Sequence, residues 1–169
     1  MSARRLLVLL VLPALAIAGG AVAAGGGVSE AAPATARFHD VDKAVAAGWS
    51  FRLPDVTGAT CIAQPGEGGM GVHMVNTSLL DGTIDAAAPE ALVYEERSDG
   101  RLKLAAVEYV VFQADWHGPQ PPSLFGRTFD FVPSPNRYGL PAFYALHAWI
   151  WKPNPSGLLF AWNPDVTCP

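Results

Sequence analysis

The sequence predicts an α+β domain with one short N-terminal helix and a mainly antiparallel, strongly curved or barrel-like sheet. Two observations predict this class. Several segments alternate apolar and polar residues with a period of two, and they follow one another without the intervening helices of a βαβ fold. In addition, the chain contains 15 prolines and 17 glycines, which predict long loops between these segments.

The first 24 residues predict a secretion signal peptide. Arg4 and Arg5 precede an apolar run of 13 residues, 6–18, whereas a bilayer-spanning helix needs about 20. Residues 16–18 and 21–23 both have the A-x-A pattern of a cleavage site. The alternative is an uncleaved membrane anchor. We therefore expect a secreted or cell-envelope protein with no integral membrane span after signal removal.

The composition of the remaining chain predicts one domain and excludes some partners. Residues 25–36 are rich in glycine and alanine and predict a disordered leader, so the domain should comprise residues 37–169. Without the arginines of the signal, 9 basic residues stand against 15 acidic ones, a net charge of −6. Because nucleic acids attract basic surfaces, we expect no nucleic-acid partner.

The helix is predicted within residues 38–49. Asp40 is a suitable N-cap, Ala44 and Val45 lie on one face, and Gly48 can end the helix in a left-handed conformation.

Residues 91–96 and 102–112 predict the clearest β-hairpin, because a Ser-Asp-Gly turn lies between two strand-like segments. The even-numbered residues of the longer segment should share one face, and all except Glu108 are apolar. A carboxylate on such a face is costly unless it is hydrogen-bonded, paired or bound to a cation. Alternatively, this face meets solvent near Glu108, or Glu108 bonds to backbone amides.

Two histidines lie in other strand-like segments. His73 follows the glycine-rich loop of residues 65–71, and His147 lies in the predicted final strand, residues 144–151. In that strand His147 shares a face with Trp149 and Trp151. Taken singly, each histidine is as well explained by packing or capping as by ligand binding.

Together, His73, Glu108 and His147 predict a cavity that holds a divalent transition metal ion. Two imidazoles and one carboxylate form the ligand set of many mononuclear zinc, iron and manganese sites. No local spacing motif such as HxxxH accompanies the three residues. Whether such a site would be catalytic does not follow from the sequence.

Two other classes of function stay open. A non-catalytic binding module would use an aromatic cavity for a small apolar ligand, a sugar or a peptide, with Tyr144, Trp149 and Trp151 as its ligand-binding residues, supported by Phe160 and Trp162. A structural envelope protein would have no pocket, and the two histidines and Glu108 would form a buried polar network.

The two cysteines predict a disulfide. Cys61 and Cys168 are the only cysteines, and an exported chain meets oxidising conditions. The bond would anchor the C-terminal tail to an early loop, and it requires the two Cα atoms to lie about 4.4–6.8 Å apart.

Several segments resemble an uncharacterised group of small exported bacterial proteins. The most distinctive have the patterns PGxGGMGxHxVN, at residues 65–76, and HxWxWxxNPxG, at residues 147–157. The resemblance extends over residues 37–168. It implies a single exported domain, and it implies no activity, cofactor or catalytic residue.

Overall fold

The computed structural model describes residues 27–169, so the predicted signal peptide lies outside the described residues. The N-terminal part contains helix α1 (Val28–Thr35), a 3-10 helix (Ala36–His39) and helix α2 (Val41–Ala46). Asp40 caps α2 as predicted, because its Oδ1 accepts a hydrogen bond from the backbone N of Asp42 at 3.1 Å.

Helix α1 occupies a segment for which we predicted disorder. Its Ala31 and Thr35 are fully buried, and Trp151 donates a hydrogen bond from Nε1 to Oγ1 of Thr35 at 3.2 Å. Composition pointed to disorder because the segment has few large apolar residues. Small residues nevertheless let a helix approach the rest of the domain closely, so residues 28–36 belong to the folded domain, which was predicted to comprise only residues 37–169.

Seven strands form one antiparallel sheet: β1 (Phe51–Arg52), β2 (Cys61–Gln64), β3 (Gly68–Val75), β4 (Ala91–Glu96), β5 (Leu102–Phe112), β8 (Asp130–Val132) and β9 (Phe143–Ala148). Two further strands, β6 (Ser123–Leu124) and β7 (Arg127–Thr128), form a separate hairpin, and a 3-10 helix spans Thr77–Leu79. The order in the sheet is β1-β3-β4-β5-β9-β8, with β2 also paired to β3. The predicted α+β class and antiparallel sheet are thus confirmed, although the sheet is not closed into a barrel.

The predicted hairpin forms with its expected bounds as β4 and β5, but a β-bulge changes which residues share a face. Val93 pairs with Ala106 and Tyr94 pairs with Leu104, so Ala105 is an extra residue in β5. The alternation shifts at this point. The prediction that all even-numbered residues of this strand share one face is therefore wrong.

The sheet has two differently covered faces. On the helix face, the N-terminal helices pack against residues including Leu104, Val107 and Tyr109 in the main apolar core. The site face carries His73, Glu108 and His147, together with a smaller apolar cluster that contains Val93, Ala105, Ala106, Trp149 and Val166. The final strand ends at Ala148, earlier than predicted, because the chain then turns and Trp149 N donates to the carbonyl of Leu158.

The C-terminal tail is held next to β2 and β3. The predicted Cys61–Cys168 disulfide is confirmed, with the Cα atoms 5.5 Å apart. Gly69 and Asn163 exchange two backbone hydrogen bonds of 3.0 Å. A Cβ atom at Gly69 would lie only 2.8 Å from Val166, so this glycine permits the close approach of the tail.

Candidate metal centre

Three strands bring His73, Glu108 and His147 together on the site face. Glu108 of β5 lies directly opposite His147 of the neighbouring strand β9. His73 lies on β3, which is separated from β5 by β4. Because adjacent strands lie about 4.8 Å apart, β3 and β5 are separated by about twice this distance, and the side chains of His73 and Glu108 must extend over β4 to meet. The β4 residue opposite Glu108 is Ala91, whose small side chain leaves room for them.

The polar atoms of the three side chains lie at similar separations. Nε2 of His73 is 3.3 Å from Oε2 of Glu108 and 3.2 Å from Nε2 of His147. Nδ1 of His147 is 3.3 Å from Oε1 of Glu108. One ligand atom from each residue can be chosen so that all three lie within 4.8 Å of one another, as coordination of a single ion requires.

The cluster is withdrawn from solvent. His73 and His147 are 1% and 3% exposed, whereas the side chain of Glu108 is 11% exposed. Nδ1 of His73 is buried and has no hydrogen-bond partner with normal geometry. The side most open to a small molecule is therefore that of Glu108.

Burial sets the protonation of all three groups. It raises the pKa of Glu108 to about 8 and lowers the pKa of His73 to about 4, against the effect of the Gly71 backbone. Burial, together with the charge of His73, also holds the pKa of His147 well below its usual value. At neutral pH both imidazoles are therefore neutral, the form that binds metal, and Glu108 must lose one proton to become a ligand.

An apolar cavity of about 90 Å³ reaches Glu108. Val110 and Phe112 follow Glu108 on the same face of β5, and the cavity is closed by Leu80, Leu140 and Phe143 among others. The strand alternation beyond the bulge points to Val110 and Phe112 as neighbours of Glu108. Leu80 and Leu140 come from segments outside the strands, so no sequence pattern indicated them.

The aromatic residues proposed as ligand-binding lie in separate surroundings. Tyr144 packs against Phe131, and Trp151 packs edge-on against His39. Trp149 is 2% exposed and donates from Nε1 to the carbonyl of Phe160 at 2.6 Å. Trp149 therefore holds the C-terminal segment in place beside His147.

A second concave surface lies at the C-terminal segment. Phe160 and Trp162 line a groove of about 410 Å³ with Arg127, Glu67 and Asp130. The guanidinium of Arg127 lies 4.9 Å from the ring centre of Phe160, within the range of a cation–π contact. Phe160 and Trp162, two of the aromatic residues considered from the sequence, thus share one groove.

Comparison with known proteins identifies no relative: no family model, curated protein or solved structure matches the chain significantly. Among residues 27–169, none of the helices has the length and apolar character needed to cross a membrane.

Proposed function

We propose that the protein is an exported domain that binds a divalent transition metal ion, such as Zn²⁺, through His73, Glu108 and His147. The spacing of the ligand atoms is the observation that carries this proposal. For metal bonds of about 2.1 Å, tetrahedral coordination places ligand atoms about 3.4 Å apart. His73 Nε2 lies at about this spacing from His147 Nε2 (3.2 Å) and from Glu108 Oε2 (3.3 Å), and one ligand atom from each of the three residues lies within 4.8 Å of the others.

The main alternative to a metal site is a buried polar network in which the three residues only stabilise the fold. In such a network Glu108 would hydrogen-bond to the imidazoles at about 2.7–3.2 Å, whereas both Glu108–histidine contacts are 3.3 Å long. Glu108 thus contacts both histidines without a short hydrogen bond to either, which favours metal coordination.

Three protein ligands leave at least one coordination position of a four-coordinate ion for water or another molecule. Structural zinc sites, in contrast, are usually closed by four protein ligands. The proposed centre therefore has the composition of a site that binds or activates a small molecule. If the protein is a hydrolase, a water molecule bound to the zinc ion would be the reactive group.

Metal titration of the purified domain, stripped with a chelator, tests the proposal. We expect one Zn²⁺ per chain by calorimetry and by metal analysis. His147→Ala should weaken binding by more than about 100-fold, because losing even an outer-shell partner of a ligand costs about 10–100-fold. His117→Ala is the matched control, since His117 is exposed. Equal Zn²⁺ binding by the wild type and His147→Ala would contradict the proposed ligand set.

The pKa of Glu108 gives the expected pH dependence. Because this carboxyl must lose its proton, Zn²⁺ affinity should increase roughly tenfold per pH unit below about 8 and then level off. Calorimetry in two buffers of different ionisation enthalpy should show release of about one proton at pH 7. Affinity that is constant between pH 6 and 8 would contradict the assignment of Glu108.

Export is proposed from the signal-like N-terminus and from the resemblance to small exported proteins, and the disulfide is compatible with it. The test is expression of the full chain in a bacterial host, followed by fractionation and N-terminal sequencing. We expect a processed protein outside the cytoplasm that starts after a cleavage motif at residue 18 or 23. An unprocessed cytoplasmic product would contradict export.

A second candidate function is binding of a sugar or peptide in the groove at Phe160 and Trp162. The observation that favours it is the combination of a 48% exposed phenylalanine ring with an arginine and two carboxylates in one concavity. Titration with a panel of oligosaccharides and peptides, followed by tryptophan fluorescence, tests it. Phe160→Ala should abolish any response, and exposed Phe131→Ala should leave it unchanged.

A further inference from the structure

The apolar cavity and the proposed metal centre share one residue, Glu108. This side chain lines the cavity and also contacts both histidines. The histidines are nearly inaccessible, and neither lines the cavity. A molecule that enters the cavity therefore meets the centre from the Glu108 side.

The walls of the cavity define the chemistry of a suitable occupant. Val110, Phe112, Phe143 and Leu140 contribute apolar surface, whereas Glu108 contributes a carboxyl group at one place. The other polar side chain in the lining, Tyr138, already has a partner, because its hydroxyl lies 3.6 Å from Sδ of Met70. The cavity thus offers apolar contacts along its length and one polar end.

The size of the cavity fits a small organic group. About 90 Å³ is several times the roughly 10–15 Å³ that one water molecule requires on this measure. Water gains few hydrogen bonds from such walls, whereas a ring or a short carbon chain buries apolar surface there.

We propose that this cavity binds the apolar part of a small-molecule ligand or substrate whose polar end coordinates the metal ion. The ligand class is a small molecule with one oxygen- or nitrogen-containing head group on an aryl or short alkyl body. This proposal rests on the proposed metal centre and adds the substrate class of that centre.

Two hydroxamates with the same head group and different bodies test the proposal on the Zn²⁺-loaded domain. Benzohydroxamate carries a phenyl ring, whereas acetohydroxamate carries only a methyl group. We expect benzohydroxamate to bind at least about tenfold more tightly, because its ring is removed from water in the cavity. Equal affinities would overturn the cavity proposal.

Val110→Phe fills the cavity without changing a metal ligand. It should weaken benzohydroxamate binding at least about tenfold and change acetohydroxamate binding by less than about threefold. Val45→Phe, the same substitution at an exposed position of α2, is the control and should change neither affinity. Equal weakening of both probes by Val110→Phe, or no weakening of either, would overturn the proposal.

A second variant and a separate measurement keep the result interpretable. If Val110→Phe does not fold, Leu80→Trp narrows the cavity from a half-buried position outside the strands, with the same expected outcomes. Zn²⁺ affinity is measured first, without any probe. Failure of the wild type to bind Zn²⁺ contradicts the metal centre itself, whereas normal Zn²⁺ binding without discrimination between the probes contradicts only the cavity proposal.

Discussion

The two faces of the central sheet bury polar groups in different ways. On the helix face, the hydroxyl groups of Tyr94 and Tyr109 each donate to a backbone carbonyl, of Phe38 and Ala86, at 2.8 Å. On the site face, the two histidines and Glu108 have their polar atoms turned towards one another at 3.2–3.3 Å.

This difference separates groups that stabilise the fold from groups that are suited to bind. A tyrosine that bonds to a carbonyl is satisfied within the protein and fixes the position of a neighbouring segment. Three convergent groups whose pKa values are shifted by burial are typical of a binding or catalytic site. We therefore expect substitutions on the helix face to change stability and substitutions on the site face to change binding.

The largest effect should come from loss of the Cys61–Cys168 disulfide, which holds the C-terminal tail next to β2 and β3. Replacing both Cys61 and Cys168 with serine opens a loop with a sequence separation of 107. The free energy of unfolding should fall by about 4–5 kcal/mol, because the unfolded chain gains conformational freedom. Urea unfolding followed by tryptophan fluorescence measures this. A loss below about 1 kcal/mol would show that the tail docks without the bond.

Leu146 and His147 are neighbours in β9 that point to opposite faces of the sheet. They therefore test directly whether the helix face determines stability and the site face determines binding. Leu146→Ala should reduce the free energy of unfolding by about 3 kcal/mol, because Leu146 is 1% exposed in the core of the helix face. Its Zn²⁺ affinity should stay within about threefold of wild type. His147→Ala should show the reverse pattern. Loss of Zn²⁺ binding in a folded Leu146→Ala variant would contradict the independence of the two faces.

Glu90 should produce a pH-dependent effect. It is 1% exposed and its Oε2 accepts a hydrogen bond from the backbone N of Val110 at 2.9 Å. Burial raises the pKa of Glu90 to about 8, against the hydrogen bond from Val110 N, and the neighbouring acidic groups of Asp81 and Glu108 add to the rise. The folded protein therefore keeps a proton that the unfolded chain loses above a pKa of about 4.5.

The contribution of Glu90 to stability is complete below pH 4.5 and is lost as the pH rises towards 8. Glu90→Gln keeps the hydrogen-bond acceptor and removes this titration. Between these pH values, the free energy of unfolding of the wild type should fall more steeply than that of the variant, by up to about 1.4 kcal/mol per pH unit. Urea unfolding at pH 5, 6, 7 and 8 measures the two slopes. Parallel slopes would show that Glu90 is ionised in the folded protein.

The elements that the sequence predicted well depend on local patterns. The β4–β5 hairpin follows from alternation on both sides of a short turn, and Asp40 follows from the preference of a carboxylate for an N-cap. The disulfide follows from a count of two cysteines and an expected compartment. The hairpin and the N-cap need no information about distant parts of the chain, and the disulfide needs only the fact that the chain has two cysteines and an expected oxidising compartment.

The parts that could not be predicted depend on tertiary contacts. Glu108 was recognised as unusual, but the bulge at Ala105 places it among different neighbours from those expected. The tail at Asn163 and Val166 occupies the space beside Gly69 in the glycine-rich segment that precedes His73, and no local pattern indicates this contact. The cavity walls at Leu80 and Leu140 come from loops whose path the sequence does not reveal.

The smallest effect is expected at the N-cap of α2, on the helix face. Asp40→Ala removes the hydrogen bond from Asp42 N to the Asp40 carboxylate and should cost about 1 kcal/mol of stability. It also removes an exposed ion pair with Lys43, which contributes little because water screens it. Asp42→Ala is the matched control, since it removes the same charge two residues later without removing the capping carboxylate of Asp40. Thermal unfolding with and without Zn²⁺ measures both variants.

Of the two variants, we expect only Asp40→Ala to have a lower Tm than the wild type. The increase in Tm on adding Zn²⁺ should be the same as in the wild type, because the metal ligands lie on the opposite face of the sheet. A smaller Zn²⁺-dependent increase in Asp40→Ala would instead show that the helix face contributes to metal binding.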